Sequence, residues 1–200
     1  YYELCGASSL NVAGINIGHR CGRVLVYDWD EDFELNYTSR LSKWVLRSSM
    51  HREYEEFDGI FGGGYEVKLS KDGNSVAFLS IAKNGEENNG ARVYDWDGST
   101  WQKRGDDILS GHLTSLAFSN NGNALAVAKF SEGRSIINIF DWDGNSWIQR
   151  GLDLTIDGEE GNYCQCHVTS ISMSDDENTM VLGLPYYENY DGKVFIYDWK

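Results

Sequence analysis

Along most of the chain, short apolar runs alternate with clusters of Gly, Asn and Asp. The clearest example is a run at 114–119, followed by the turn Asn120-Asn121-Gly122-Asn123 and a second run at 124–128. A third run at 136–142 and a short fourth at 147–150 complete the set. Each has the length and the branched or aromatic composition of a strand, with turn residues on both sides. The pattern predicts four strands, A to D, within about 46 residues.

The same order recurs. Residues 66–70, 75–79, 91–96 and 101–104 give A to D of one copy, and 169–174, 179–183 and 193–199 give A to C of another. An earlier copy opens at strand B, 2–6, and runs into C at 23–29. Its D strand is displaced to Trp44-Val45-Leu46-Arg47 by a ten-residue insertion in the C–D turn. Remaining length differences fall between strands, where loops tolerate them. The C strands are apolar on both alternating faces, as in Val24, Leu25, Val26 and Tyr27. A strand of that kind is covered on both sides, and in a stack of small antiparallel sheets the cover comes from neighbouring repeats.

Every C strand ends in Asp-Trp: Asp28-Trp29, Asp95-Trp96, Asp141-Trp142 and Asp198-Trp199, spaced 67, 46 and 57 residues apart. Two copies continue into Asp97-Gly98 and Asp143-Gly144, residues suited to the positive φ of tight hairpins. Trp101 and Trp147 follow one strand later. Indole faces also suit sugar rings, but recurrence at one structural position favours packing, so the motif reads as a staple between C and D.

These residues predict an all-β chain of tandem four-stranded antiparallel units, about four in number. The single domain 1–200 divides approximately into 1–60, 61–108, 109–160 and 161–200. Strand A of the first unit and D of the last are missing, so the array is expected to be incomplete at both ends. Further chain or a neighbouring subunit would supply the rest.

The pattern resembles the FG-GAP-like β-propeller repeats of integrin-type and other large cell-surface or secreted proteins with Asp-Trp-Asp-Gly repeats. Phe61-Gly62 with Gly64-Tyr65-Glu66-Val67 is similar to the family's Phe-Gly opening, and Val181-Leu182-Gly183-Leu184-Pro185 to its Gly-Ala-Pro segment. The Asp-Trp ending also looks like that of WD40 repeats, whose Gly-His signature is absent. The resemblance implies propeller blades and an extracellular role in adhesion. Family members that bind calcium use an acidic A–B loop. Here those loops, 71–74, 120–123 and 175–178, are short and poor in spaced carboxylates, so calcium is not carried over.

Composition narrows the functional classes. With 17 basic and 31 acidic side chains the formal charge is −14, which disfavours nucleic acid and anionic membranes as partners. No apolar run is long enough to cross a bilayer as a helix. Four cysteines, Cys5, Cys21, Cys164 and Cys166, are disulfide candidates with three possible connectivities, and favour an oxidising compartment. Cys164-Gln165-Cys166-His167 lacks the usual Cys-x2-Cys spacing and a second ligand pair, so no metal is assigned.

Asn36-Tyr37-Thr38 is a glycosylation sequon in the inserted turn. The acidic cluster Asp28, Asp30, Glu31, Asp32 and Glu34 reads as a solvated edge. His19, His51, His112 and His167 are scattered, and there is no nucleophile elbow or phosphate loop. The carboxylate pairs Asp106-Asp107 and Glu159-Glu160 sit in D–A connections and read as loop chemistry rather than a glycosidase pair.

The expectation is a non-catalytic extracellular structural or adhesion protein without cofactor, such as a subunit of a filament or matrix. Its partners would be further copies of itself, other extracellular proteins or glycans. A lectin-like or protein-binding propeller is the alternative, using the loops 80–90 and 184–192. A glycoside-processing enzyme is the third reading.

Overall fold

The computed structural model describes residues 24–35, 39–50, 60–82, 90–157, 167–187 and 191–200. The chain folds as a series of antiparallel sheets, each built from strands consecutive in sequence. The first sheet is the hairpin β1 (Val24–Leu35) and β2 (Ser39–Met50). The second comprises β3 (Ile60–Leu69), β4 (Ser75–Ala82), β5 (Gly90–Trp96), β6 (Trp101–Lys103) and β7 (Ile108–Ser110). The third repeats it with β8 (Leu113–Phe118), β9 (Ala124–Ser131), β10 (Arg134–Trp142), β11 (Trp147–Gln149) and β12 (Leu154–Ile156). The last has β13 (Ser170–Met173), β14 (Thr179–Leu184) and β15 (Lys193–Asp198).

Two details differ from the sequence reading. The fourth strand is longer than predicted, because β6 and β7 both pair with β5, and β11 and β12 both pair with β10. The residues between these short segments, 104–107 and 150–153, therefore lie within the outer strand. Asp106 and Asp107 thus belong to that interruption rather than to a D–A loop. The second difference is the inserted C–D turn of the first unit, which extends the β1–β2 ladder from Trp29↔Trp44 out to Leu35↔Ser39. Both strands simply continue past the point where other units turn.

The core forms where the sheets face one another. Alternation on β4 sends Val76 and Phe78 toward Val24 and Val26 of the first sheet. It sends Ala77 and Leu79 the other way, into a cluster with Leu116, Leu125, Val127 and Phe140 of the third sheet. On β9 and β10 the pattern repeats: Ala126, Ala128 and Ile137 pack against Ile171, Met180 and Leu182 of the last. Strands apolar on both faces are thus sandwiched between successive units.

Candidate functional site

The A–B turns set the frame. In each, a serine hydroxyl donates to a side chain two residues on: Ser70 to Asp72 at 2.6 Å, Ser119 to Asn121 at 2.8 Å, and Ser174 to Asp176 at 2.6 Å. The same serine oxygen accepts the amide that opens strand B, from Ser75, Ala124 and Thr179. The side chains of Asp72, Asn121 and Asp176 in these loops therefore hold the turn itself. The hydroxyl of Ser70 and the amide of Asn74 keep the Asp72 carboxyl below its ordinary value.

The C–D hairpins are closed by the second Asp of each motif. Asp97 accepts the amides of Ser99 and Thr100, both at 2.8 Å, and Asp143 those of Asn145 and Ser146, also at 2.8 Å. These donors hold both carboxyls low, that of Asp97 far below the usual carboxylate range. Gly98 and Gly144 adopt φ of 102° and 100°, as the turn requires.

The first Asp of each motif meets the arginine of its own D strand. Arg47 Nε donates to Asp28 Oδ2 at 2.8 Å, Arg104 Nε to Asp95 Oδ2 at 2.6 Å, and Arg150 Nε to Asp141 Oδ2 at 2.8 Å. Each guanidinium then continues into the next unit. Arg47 donates to the Gly73 carbonyl at 2.9 Å, Arg104 to the Gly122 carbonyl, and Arg150 to the Glu177 carbonyl at 3.1 Å. It also stands over the next unit's C-strand indole: Arg47 over Trp96 at 5.7 Å, Arg104 over Trp142 at 5.7 Å, and Arg150 over Trp199 at 5.9 Å.

The motif is therefore wider than a hairpin staple. Trp96 and Trp101 lie 5.3 Å apart, and Trp142 and Trp147 5.4 Å, so the hairpin contact exists. The same residues also clasp one unit to the next. The glycine after the arginine completes the clasp: a Cβ on Gly105 would come within 2.9 Å of Trp142, and one on Gly151 within 2.6 Å of Trp199. The sequence signal for this reach is Arg104-Gly105 and Arg150-Gly151, a pair whose glycine makes room for an indole from elsewhere.

The remaining candidate residues are placed as follows. Asp107 receives Arg92 Nε at 2.9 Å and lies 2.5 Å from Lys103 Nζ. Burial raises this carboxyl, but the hydrogen bonds from Arg92 and Lys103 outweigh it and leave it low. Asp153 takes the equivalent place, accepting from Asn138 and Gln149. His112 and His167 are brought together, 5.7 Å apart, with His167 stacked on Phe130 at 3.8 Å. Burial, then His112, lowers the pKa of His167. Among the described residues no group of three or more His, Cys, Asp or Glu is arranged to hold a metal. Cys5, Cys21, Cys164, Cys166, Asn36, His19, His51, Glu159 and Glu160 lie outside the described residues.

The last sheet stands apart. Val194 and Ile196 occupy positions equivalent to Ile137 and Ile139 of the third unit and Ala91 and Val93 of the second. There the side chains are packed against the following sheet; here Val194 and Ile196 are 66% and 68% exposed. Val181, beside Ile196 in the ladder, is also exposed. Asp198 accepts the Thr179 hydroxyl at 2.9 Å, as Asp95 accepts that of Ser75. Among the described residues no arginine reaches it.

No protein-family model matches this sequence, and neither does any curated protein. Solved structures of similar shape include the Dos1 propeller, with a TM-score of 0.50 and 13% identity over 90% of this chain and 40% of that one. Another is the β-propeller domain of the Trilobed protease from Pyrococcus furiosus, with a TM-score of 0.44 and 15% identity over 89% of this chain and 51% of that one. The chain therefore spans about half or less of the length of these structures. At such identities the likeness concerns fold alone. Sheets of consecutive antiparallel strands, stacked in sequence order and similar to the Dos1 propeller, make this chain an array of β-propeller units.

Proposed function

We propose that this array is a non-catalytic, protein-binding scaffold that docks partners over its last sheet, with a second copy of the chain as the first partner to test. The observation that carries the reading is the exposed apolar face of Val181, Val194 and Ile196, whose equivalents in the two preceding units pack against the next sheet. Exposed apolar surface of this kind marks docking sites. The charged residues of the repeat support it from the other side. Asp28, Asp95, Asp141 and Asp107 are all engaged in ion pairs that hold strands or units together.

The finer reading is an extracellular FG-GAP-like array working in adhesion or filament assembly. Its support is the sequence resemblance, the four cysteines and the Asn36 sequon. Sedimentation over about a hundredfold concentration range tests the docking role. The expected result is reversible association that the double substitution Val194→Lys, Ile196→Lys abolishes. A strictly monomeric chain, or association indifferent to those substitutions, would overturn it.

A further inference from the structure

We infer that His112 and His167 form a two-histidine site for a transition-metal ion of the zinc class, joining the third unit to the fourth. The two residues are equivalent positions of consecutive units. His112-Leu113-Thr114-Ser115 and His167-Val168-Thr169-Ser170 run in the same order into the first strands of their sheets, β8 and β13. Leu113 and Val168 are both buried, so each histidine is anchored by the residue that follows it. The two imidazole rings meet across the seam, 5.7 Å apart.

The third unit holds both backbones. Phe130 N–H donates to the His112 carbonyl at 2.9 Å, and Val168 N–H donates to Ser135 Oγ at 3.1 Å. Phe130 and Ser135 face each other across the β9–β10 ladder, so one pair of residues fixes both histidines. The Phe130 ring also lies flat on His167, 3.8 Å away and within 16° of parallel. Such stacking covers a face of the imidazole and leaves the ring edge, where the nitrogens are, clear of Phe130. His112 is exposed, and the broad χ2 preference of histidine lets its ring turn toward His167.

The spacing fits one ion. With metal–nitrogen bonds of about 2.0–2.1 Å, each ring centroid lies about 3.2 Å from the ion, and two at a tetrahedral angle stand about 5.2 Å apart. The observed 5.7 Å needs about half an ångström of closure. Imidazole suits zinc, copper and nickel, whereas magnesium and calcium take oxygen. The formal charge of −14 favours the approach of a cation. Among the described residues no group of three or more His, Cys, Asp or Glu is placed to hold a metal, so the site has two protein ligands, with water completing the coordination. Its dissociation constant should be on the order of 10 μM, far weaker than that of a closed four-ligand site.

Zinc chloride titrated into the intact chain is the probe. Calorimetry should show one ion per chain, with no response to magnesium. On the unsubstituted chain the imidazole NMR signals of His112 and His167 should shift together, at the same zinc concentrations. His112→Ala and His167→Ala should each weaken binding about tenfold or more, since a single imidazole remains. Saturating zinc should raise the urea midpoint of the native chain and of neither variant, because the ion binds the folded pair. Cys164→Ser with Cys166→Ser separates this site from a cysteine site, and binding should survive that double substitution. No zinc bound at about 1 mM, roughly a hundred times the expected constant, would overturn the inference. So would a shift of only one imidazole, or binding that is lost with the cysteines or survives without either histidine. His112 and His167 would then be a packing pair. The NMR readout needs no variant, so it decides the matter even where a substitution prevents folding.

Discussion

Arg150 and Glu177 belong to different units, yet Arg150 Nη2 donates to Glu177 Oε2 at 2.9 Å, and both side chains are largely shielded from solvent. Glu177 occupies the turn position that Gly73 and Gly122 fill in the preceding units, and it does so at a φ of 61°. A side chain in that region costs about 1–2 kcal/mol. What the glutamate supplies in return is a carboxylate for the neighbouring unit's arginine. The contact shows that the arginine, already paired to Asp141 within its own unit, also carries a charged interaction across the seam to the next.

Arg104 tests the energetic weight of a seam. Its guanidinium serves Asp95 and Ser75 within its own unit and Gly122 in the next. Arg104→Ala should lower stability by about 2–3 kcal/mol, since hydrogen bonds to charged groups dominate the loss. Arg104→Lys should recover less than half, because an ammonium cannot fork between two partners and stack on an indole. Urea titrations with unchanged slope would report both. A loss below about 0.5 kcal/mol for the alanine variant would remove the clasp's weight.

Two glycines separate backbone strain from packing. Gly144 and Gly151 both have positive φ, but only Gly151 has an indole where its Cβ would stand. Gly144→Ala should cost about 1–2 kcal/mol, and Gly151→Ala about 3 kcal/mol or more because Trp199 must also move. Equal costs in thermal melts would mean that Trp199 yields freely.

Stability should fall in acid. Arg47 lowers the Asp28 carboxyl, Ser70 that of Asp72, and Ser174 that of Asp176, while turn amides lower Asp143. A carboxylate whose folded pKa lies below its unfolded value contributes stability that is complete above the unfolded value, about 4. That contribution is lost as pH drops through the folded value. Melting temperature should decline modestly as pH falls from about 7, because burial holds the folded His167 pKa below its unfolded value of about 6.5, and more steeply below about pH 4 as the carboxylates protonate. A decline complete by pH 5, with no further loss below pH 4, would assign the dominant titration to groups other than these carboxylates.

Much of the fold was legible in the chain because strand alternation is a local signal. Val76, Ala77, Phe78 and Leu79 announce a strand covered on both faces, and Gly122 and Gly144 announce turns. The missed parts are non-local. Arg104-Gly105-Asp106-Asp107 has the composition of a loop, and only pairing to β5 makes it an interruption within one strand. The same limit applies to the Asp-Trp motif: spacing places Trp96 near Trp101, but not under Arg47 of the preceding unit. Periodicity gives the face on which a side chain lies, not which unit faces it.

The claim that the repeat motif joins units is tested most directly by a double-mutant cycle between Arg150 and Glu177. Arg150→Ala, Glu177→Ala and the double variant should give a coupling energy of about 1 kcal/mol or more, as for shielded hydrogen-bonded ion pairs. A coupling below about 0.3 kcal/mol, with the two losses simply additive, would contradict a clasp across the seam.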